Sequence, residues 1–363
     1  MRDLRDSRLR KAAGALAASL VLVACSAGED DDAPKAANTA TGAAAAKGCD
    51  SVDLTKPPAA PVKMRIGHGQ AAEEPFWLMQ VDDARAKNKG KWYSMELKPF
   101  RATAERLAAY QAKELDAVTI SPQAQIRGTA AGALDLYAIA TIMREGEKGA
   151  FSTSFVAMEK SGIDSVEKMK GKTIAIVDEG TQLDFLARQG ISKAGGDPAK
   201  DAKYVVFPFN AQEEALRAGR IDVAGLPEPF YTLAKSKGGI VDVFSAADVS
   251  DFAYDLLTVS FKQQFVADNL GAVCAWAADF RESMKYWKGS NKEARGKLVG
   301  TPFVQLPGPV YEKTGDYARP DDGKVDVQGA KQMLDQMIKF GILKESDRID
   351  TNKLVRPGVS IGH

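Results

Sequence analysis

The chain has 363 residues, enough for two domains at roughly 100–200 residues each. Its formal net charge of +1 provides no overall field to attract nucleic acid, so we expect no nucleic-acid partner. Three cysteines are too few for a disulfide-built scaffold, and two histidines argue against a histidine-based metal site.

The amino terminus has the pattern of a secretory signal. A basic opening from Arg2 to Lys11 precedes an uncharged apolar run, Ala12 to Val23, which falls short of the about 20 residues that span a bilayer. The run ends in Leu22-Val23-Ala24-Cys25, which resembles the lipobox of bacterial lipoproteins. The resemblance implies a signal peptide over residues 1–24 and a lipid such as palmitate on Cys25. A generic signal peptide or an uncleaved anchor is the alternative.

The segment after Cys25 has the composition of a spacer. It contains an acidic cluster, a tract rich in alanine, threonine and glycine, and three prolines at 57, 58 and 61. Such a segment buries too little apolar surface to offset the entropy of ordering it. We therefore predict a flexible tether over residues 25–61.

From Val62 onward, strand-like runs alternate with helix-like segments. The pattern predicts strands at 62–66, 92–99, 116–120 and 134–141, and helices at 73–88, at 103–112 and from Ser121. Ser121-Pro122 combines an N-cap residue with a proline at the first helical position, which is a typical helix start.

A second series of strands follows Gly149. Strands are predicted at 154–158, 172–177, 203–207 and 221–226, and helices after Thr181, Asn210 and Pro227. Thr181 and Asp184 have the spacing of a capping box. The alternation indicates an α/β fold on mostly parallel sheet. A strand at 254–261 and helices at 263–287 and 327–340 complete the chain, and we expect the tail helices to pack on one of the lobes.

Several segments together resemble one family. They are Met64–Gly69, Arg106–Ala117, Gly171–Ala175 followed by Gly180-Thr181, Ala215–Ala224, and Glu228-Pro229-Phe230. Their order, over about residues 63–280, resembles the nitrate/sulfonate/taurine class of solute-binding proteins of ABC transporters.

That resemblance implies the two-lobed type II periplasmic binding fold, with a small-molecule ligand between the lobes. We place lobe one at 62–148 plus 253–363 and lobe two at 149–252, with hinges near Gly149 and Phe252. The resemblance also implies an ABC permease and ATPase complex as partners, a monomer, and a place outside the cytoplasm, in the periplasm or on the outer face of the cell membrane.

The ligand site is predicted at the carboxyl ends of the strands, where loops and helix N-termini favour anionic or polar groups. Arg144 follows a predicted strand at the expected lobe crossing, and its planar fork suits a carboxylate or sulfonate. Arg101 and Lys148 are further cations on these loops. The other predicted ligand-binding residues are Gln70, Phe76, Trp77, Ser121, Thr181, Asn210, Glu228 and Tyr254.

These residues lead us to expect a small organic anion, possibly aromatic. A neutral ligand held by Gln70, Asn210 and aromatic stacking is the alternative.

An enzymatic role finds little support in the sequence. Residues 67–72 have the shape of a dinucleotide fingerprint, but the second strand ends in Leu97-Lys98-Pro99, without an acid to hold a ribose. We find no G-x-S-x-G, H-E-x-x-H or P-loop motif. We therefore predict no catalytic residues, no cofactor and no metal. Two alternatives stay open: a ligand-sensing lipoprotein, and an enzyme of the pyrimidine-precursor synthase type, which shares the fold that the resemblance implies.

Cys49 and Cys274 leave two possibilities open. Export would place both thiols in an oxidising setting, where they could form a disulfide. Alternatively, Cys274 lies on the buried face of a helix as a small apolar residue, and Cys49 lies in the tether.

Overall fold

A computed structural model describes residues 47–363 of the chain. The predicted signal peptide and the lipidation site at Cys25 lie outside the described residues. Within the described part, no helix is both long enough and apolar enough to cross a membrane.

The described residues form strands and helices that alternate along the chain. The strands are β1 Val62–His68, β2 Tyr93–Pro99, β3 Ala117–Ile120, β4 Leu136–Glu145, β5 Ser154–Met158, β6 Thr173–Ile176, β7 Lys203–Val206, β8 Val223–Leu226, β9 Ile240–Ser245 and β10 Tyr254–Lys262. The helices are α1 Glu74–Val81, α2 Thr103–Gln111, α3 Pro122–Ala130, α4 Gln182–Lys193, α5 Phe209–Arg217, α6 Phe230–Ser236, α7 Ala246–Val249, α8 Gln263–Asp268, α9 Leu270–Gly289, α10 Asn291–Leu298, α11 Gly308–Tyr311 and α12 Val327–Lys339.

The strands form two five-stranded sheets of the same design. The first has the order β2-β1-β3-β10-β4 and the second the order β7-β6-β8-β5-β9. In each sheet, one strand runs against the other four: β10 in the first and β5 in the second. These are the strands that the chain enters directly after crossing from the other lobe, between β4 and β5 and between β9 and β10.

Helix starts follow the sequence at some positions and depart from it at others. The Ser121 hydroxyl caps α3 by accepting from Ala124 N at 3.3 Å. The predicted capping box at Thr181 is wrong in detail, because Asp184 accepts from Gly180 N and the Thr181 hydroxyl donates to the Asp178 carbonyl. The helix predicted after Asn210, α5, begins one residue before Asn210.

The tail helix α12 corrects the assignment of all of 253–363 to lobe one. Its apolar side chains recur at the spacing of one helix face, and they join the core of lobe two around Phe155 and Phe185. The same helix also contacts α3 of lobe one, so it lies against both lobes. The side chains that it buries in this core are Ala330, Met333, Leu334 and Met337.

The carboxyl-terminal part of the predicted tether is also corrected. Cys49 forms a disulfide with Cys274 on α9, and its amide donates to the Gly358 carbonyl at 2.7 Å. Val52 and Leu54 pack against the core of lobe one, and Trp92 Nε1 donates to the Leu54 carbonyl at 3.0 Å. A chain held by these contacts is not a flexible spacer, so any tether ends before Cys49.

Candidate functional site

The two lobes enclose a cavity of about 110 Å³ in the cleft between them, here called the inner cavity. Lobe one provides the loop before α1, the loop into α2 and the start of α3. Lobe two provides the loop into α4 and the start of α5, and the tail provides one tyrosine. The polar and aromatic residues of its wall include Gln70, Glu73, Arg101, Arg106, Ser121, Thr153, Thr181, Gln182, Phe209 and Tyr317.

Arg106 is the buried cation of this cavity. It lies in α2 four residues before Tyr110, so the two side chains share the buried face of the helix, and only 5% of Arg106 is exposed. Within the described part of the chain, no acceptor lies within hydrogen-bonding distance of its buried Nε. A buried N–H donor without an acceptor is costly unless something else supplies one.

Glu73 faces the same cavity. Its Oε1 accepts from Gly69 N at 2.7 Å and from the Thr119 hydroxyl at 3.1 Å, whereas its buried Oε2 has no hydrogen-bond partner among the described residues. Burial raises the pKa of Glu73 to about 7, although the Arg106 charge and the two hydrogen bonds oppose the shift. Near neutral pH, Glu73 is therefore partly protonated.

Arg319 from the tail holds the loop that carries Glu73. Its Nη1 donates to the carbonyls of Ala72 at 3.0 Å and Ile142 at 3.2 Å, and its Nη2 pairs with Glu74 at 2.8 Å. Ala72 has a φ of 54°, a left-handed conformation that non-glycine residues rarely adopt. The tail thus fixes a strained loop at the edge of the site.

Contacts across the cleft hold the lobes together around the cavity. Asp178 of lobe two accepts from the backbone N–H groups of Thr103 at 3.0 Å and Ala104 at 3.3 Å, which open α2 in lobe one. Arg127 of α3 donates to the Glu179 carbonyl in lobe two. The N-terminus of α2 is therefore capped by the opposite lobe.

The structure places Arg144 away from the inner cavity, which corrects its predicted role. β4 continues to Glu145, so Arg144 lies inside the strand, and its neighbour Met143 faces the cavity. Because side chains alternate along a strand, Arg144 points to the opposite face. There its Nη2 pairs with Asp326 at 2.8 Å.

The other predicted residues divide into three groups. Gln70, Ser121 and Thr181 line the inner cavity. Trp77, Asn210 and Gln70 line a larger neighbouring space.

The third group consists of Phe76, Glu228 and Tyr254, which line neither space. Phe76 and Tyr254 are fully buried in the cores of lobes one and two respectively. Glu228 accepts from Gly315 N at 2.8 Å and from the Thr232 hydroxyl, and so joins lobe two to the tail.

Residues 56–301 match the model of the NMT1-like family. The chain belongs to the NMT1-like family. No curated protein matches its sequence.

Solved structures resemble this NMT1-like protein over most of its length. The alkanesulfonate-binding protein SsuA from Xanthomonas axonopodis pv. citri, bound to MOPS, is 18% identical with a TM-score of 0.65, and the match covers 80% of this chain and 96% of that one. The periplasmic nitrate-binding protein NrtA from Synechocystis PCC 6803 is 13% identical with a TM-score of 0.65, covering 82% and 87%.

A third structure is the ligand-binding component of an ABC-type import system from Staphylococcus aureus, solved with zinc bound. It is 13% identical with a TM-score of 0.68, and the match covers 82% of this chain and 98% of that one. These likenesses confirm the predicted two-lobed type II periplasmic binding fold, and the nitrate- and sulfonate-binding neighbours are of the class that the sequence resembles.

Proposed function

We propose that this NMT1-like protein is an extracytoplasmic solute-binding lipoprotein that captures a small organic anion, a sulfonate or carboxylate, and delivers it to an ABC importer. The anion binds in the inner cavity, and Arg106 provides the opposing charge. The protein binds its ligand without transforming it.

The buried guanidinium of Arg106 is the observation that supports this proposal most strongly. It lines the cavity, its Nε has no acceptor among the described residues, and a carboxylate or sulfonate offers the acceptors that its fork requires. Arg101 lines the same cavity as a second cation. The hydroxyls of Ser121 and Thr181 lie on the wall from opposite lobes and offer further polar contacts to the same group.

Binding of an anion requires Glu73 to be protonated. An ionised carboxylate beside a bound anion would repel it, so Glu73 is protonated in the complex and its O–H can donate to the ligand. Its raised pKa of about 7 makes this protonation inexpensive near neutral pH. Glu73 and Arg106 together then present donors only to the bound group.

Calorimetric titration with methanesulfonate, benzenesulfonate, benzoate and uncharged uracil tests the proposal. We expect an anion to bind best. Arg106→Gln should lower the affinity for that anion by about thirtyfold to several thousandfold, the usual loss when one member of a buried charge pair is removed. Arg144→Gln is the matched control, because it removes the same charge outside the cavity, and it should leave the affinity within about twofold. Best binding of uracil, or equal effects of the two variants, would overturn the proposal.

The sequence supports the lipid anchor, and one structural neighbour supports the importer complex. The Leu-Val-Ala-Cys25 series supports lipidation, and the neighbour from Staphylococcus aureus is described as part of an import system. Mass spectrometry of the mature protein should find a lipid-modified N-terminus at Cys25. An unmodified Cys25 inside a longer mature chain would refute the anchor.

A further inference from the structure

A second and larger space adjoins the inner cavity in the cleft. This outer chamber has a volume of about 560 Å³ and shares Gly69, Gln70, Ala72 and Arg101 with the wall of the inner cavity. Because the same residues border both spaces, a ligand held in one can extend into the other.

Aromatic rings from both lobes line the outer chamber. On the side of lobe one, Trp77 and Phe303 stack with centroids 5.6 Å apart, and the His68 ring meets Phe303 edge-on at 5.7 Å. On the side of lobe two, Phe230 stacks at 5.7 Å on Phe209, which lines the inner cavity. The chamber therefore has apolar walls that continue into the charged part of the cleft.

The charges around the chamber are largely neutralised. Glu74 pairs with Arg319 at 2.8 Å and accepts from the Tyr311 hydroxyl at 3.3 Å. Burial lowers the pKa of His68 to about 4, so its ring is neutral at pH 7. Arg101 borders both spaces and places a guanidinium at their junction.

One wall of the chamber comes from outside the segment that matches the family. Residues 302–306 and Tyr311 line it, whereas the family match ends at residue 301. The segment is held in place by the Tyr311–Glu74 hydrogen bond and by a bridge between Val299 and Val304. Membership of the family therefore does not by itself account for this wall.

We propose that the outer chamber is a second subsite, which holds the aromatic body of an extended organic anion whose charged group lies at Arg106. The inference rests on the proposed function and narrows it. A ligand of this kind fills both spaces, with its rings against Trp77, Phe303 and Phe230 and its charged group beyond the Arg101 junction. A sulfonate without an apolar body leaves the aromatic walls unused.

Two matched probes test the subsite by calorimetry: methanesulfonate, which carries the charged group alone, and naphthalene-2-sulfonate. We expect the naphthalene compound to bind at least about tenfold more tightly, since burying its rings contributes at least as much as burying one apolar side chain. Phe303→Ala should weaken the binding of naphthalene-2-sulfonate by about tenfold and that of methanesulfonate by less than about twofold. Phe230→Ala repeats the test from the opposite lobe, in case the first variant folds poorly.

Phe265→Ala is the control, because Phe265 is a partly buried phenylalanine on lobe one that lines neither space. It should change neither affinity. Equal affinity for the two probes in the unmodified protein, or no loss from Phe303→Ala and Phe230→Ala, overturns the subsite. If Arg106→Gln still weakens both probes in that case, the proposed function stands. If Arg106→Gln has no effect, the proposed function fails and the subsite fails with it.

Discussion

Glu73 and Arg106 are the buried acid and the buried base in the wall of the inner cavity. Both are buried, at 1% and 5% exposure, and each has a polar atom without a partner among the described residues. The Arg106 charge opposes the rise in the pKa of Glu73, but burial outweighs it and the pKa stays near 7. The charge of the site therefore changes near neutral pH.

This balance predicts that anion affinity depends on pH. Below pH 7, Glu73 is mostly protonated and does not oppose an anion, whereas above pH 7 it is ionised and repels one. Affinity for benzenesulfonate should fall by up to about tenfold between pH 6 and pH 8, which corresponds to one proton taken up on binding. His68, with a pKa of about 4, does not titrate in this range.

Calorimetry at pH 6, 7 and 8 measures the effect, and Glu73→Gln should remove it, because glutamine cannot ionise. Glu145 has a similarly raised pKa of about 7 at the lobe crossing, so Glu145→Gln is the control. If the pH dependence survives Glu73→Gln but disappears in Glu145→Gln, the titrating residue is Glu145 and the prediction is wrong.

At the scale of residues, more of the predicted loop residues than of the predicted charged residues lie at the proposed cavity. Gln70, Ser121 and Thr181 line the cavity because strand ends and helix starts can be read from local patterns. The error at Arg144 has a simple cause: the strand is longer than its apolar run suggests, so a residue placed after it lies within it. The sequence signal at Arg106 was weaker: this charged residue shares a helix face with Tyr110, an aromatic residue of the kind that is usually buried. Only the packing of α2 shows that Arg106 faces the cleft.

Among the secondary-structure elements, the contact between Asp178 and the start of α2 joins the two lobes. A carboxylate at a helix N-terminus satisfies N–H groups that otherwise lack partners and interacts favourably with the helix dipole. Here the carboxylate belongs to the other lobe, so the contact exists only while the lobes are together. We therefore predict that it stabilises the closed arrangement of the lobes rather than either lobe alone.

Removing this cap should weaken ligand binding without unfolding the protein. Loss of a helix cap costs about 1 kcal/mol, so Asp178→Ala should reduce affinity for benzenesulfonate by about fivefold. Asp197→Ala is the matched control: Asp197 accepts from Ala199 N at 2.9 Å and thus acts within lobe two alone. Calorimetry compares the two variants, and an equal loss in both would show that Asp178 does not act through the closure of the lobes.

The fold elements themselves were largely predictable, because alternating strand and helix patterns depend on local sequence. Contacts between distant segments were not. The packing of α12 on lobe two depends on which core its apolar face meets, and the order of residues 49–54 depends on the disulfide to Cys274 and on Trp92. In both cases, the residues that hold the segment lie far from it in the sequence.

For the whole molecule, the two sheets of equal design place their loops around one cleft, and the tail ties the lobes together. Arg319 holds the loop before α1, Gly315 contacts Glu228 of lobe two, and α12 lies against both lobes. A cleft formed in this way can enclose a ligand from several sides, as the proposed solute-binding function requires.

A crystal structure of the protein in complex with its tightest-binding sulfonate or carboxylate tests this account most directly. We expect the oxygen atoms of the anionic group at about 2.7–2.9 Å from the Arg106 guanidinium, in the inner cavity between the lobes. An anion bound outside the cleft, or one paired with Arg144 while Arg106 contacts no ligand atom, would contradict it.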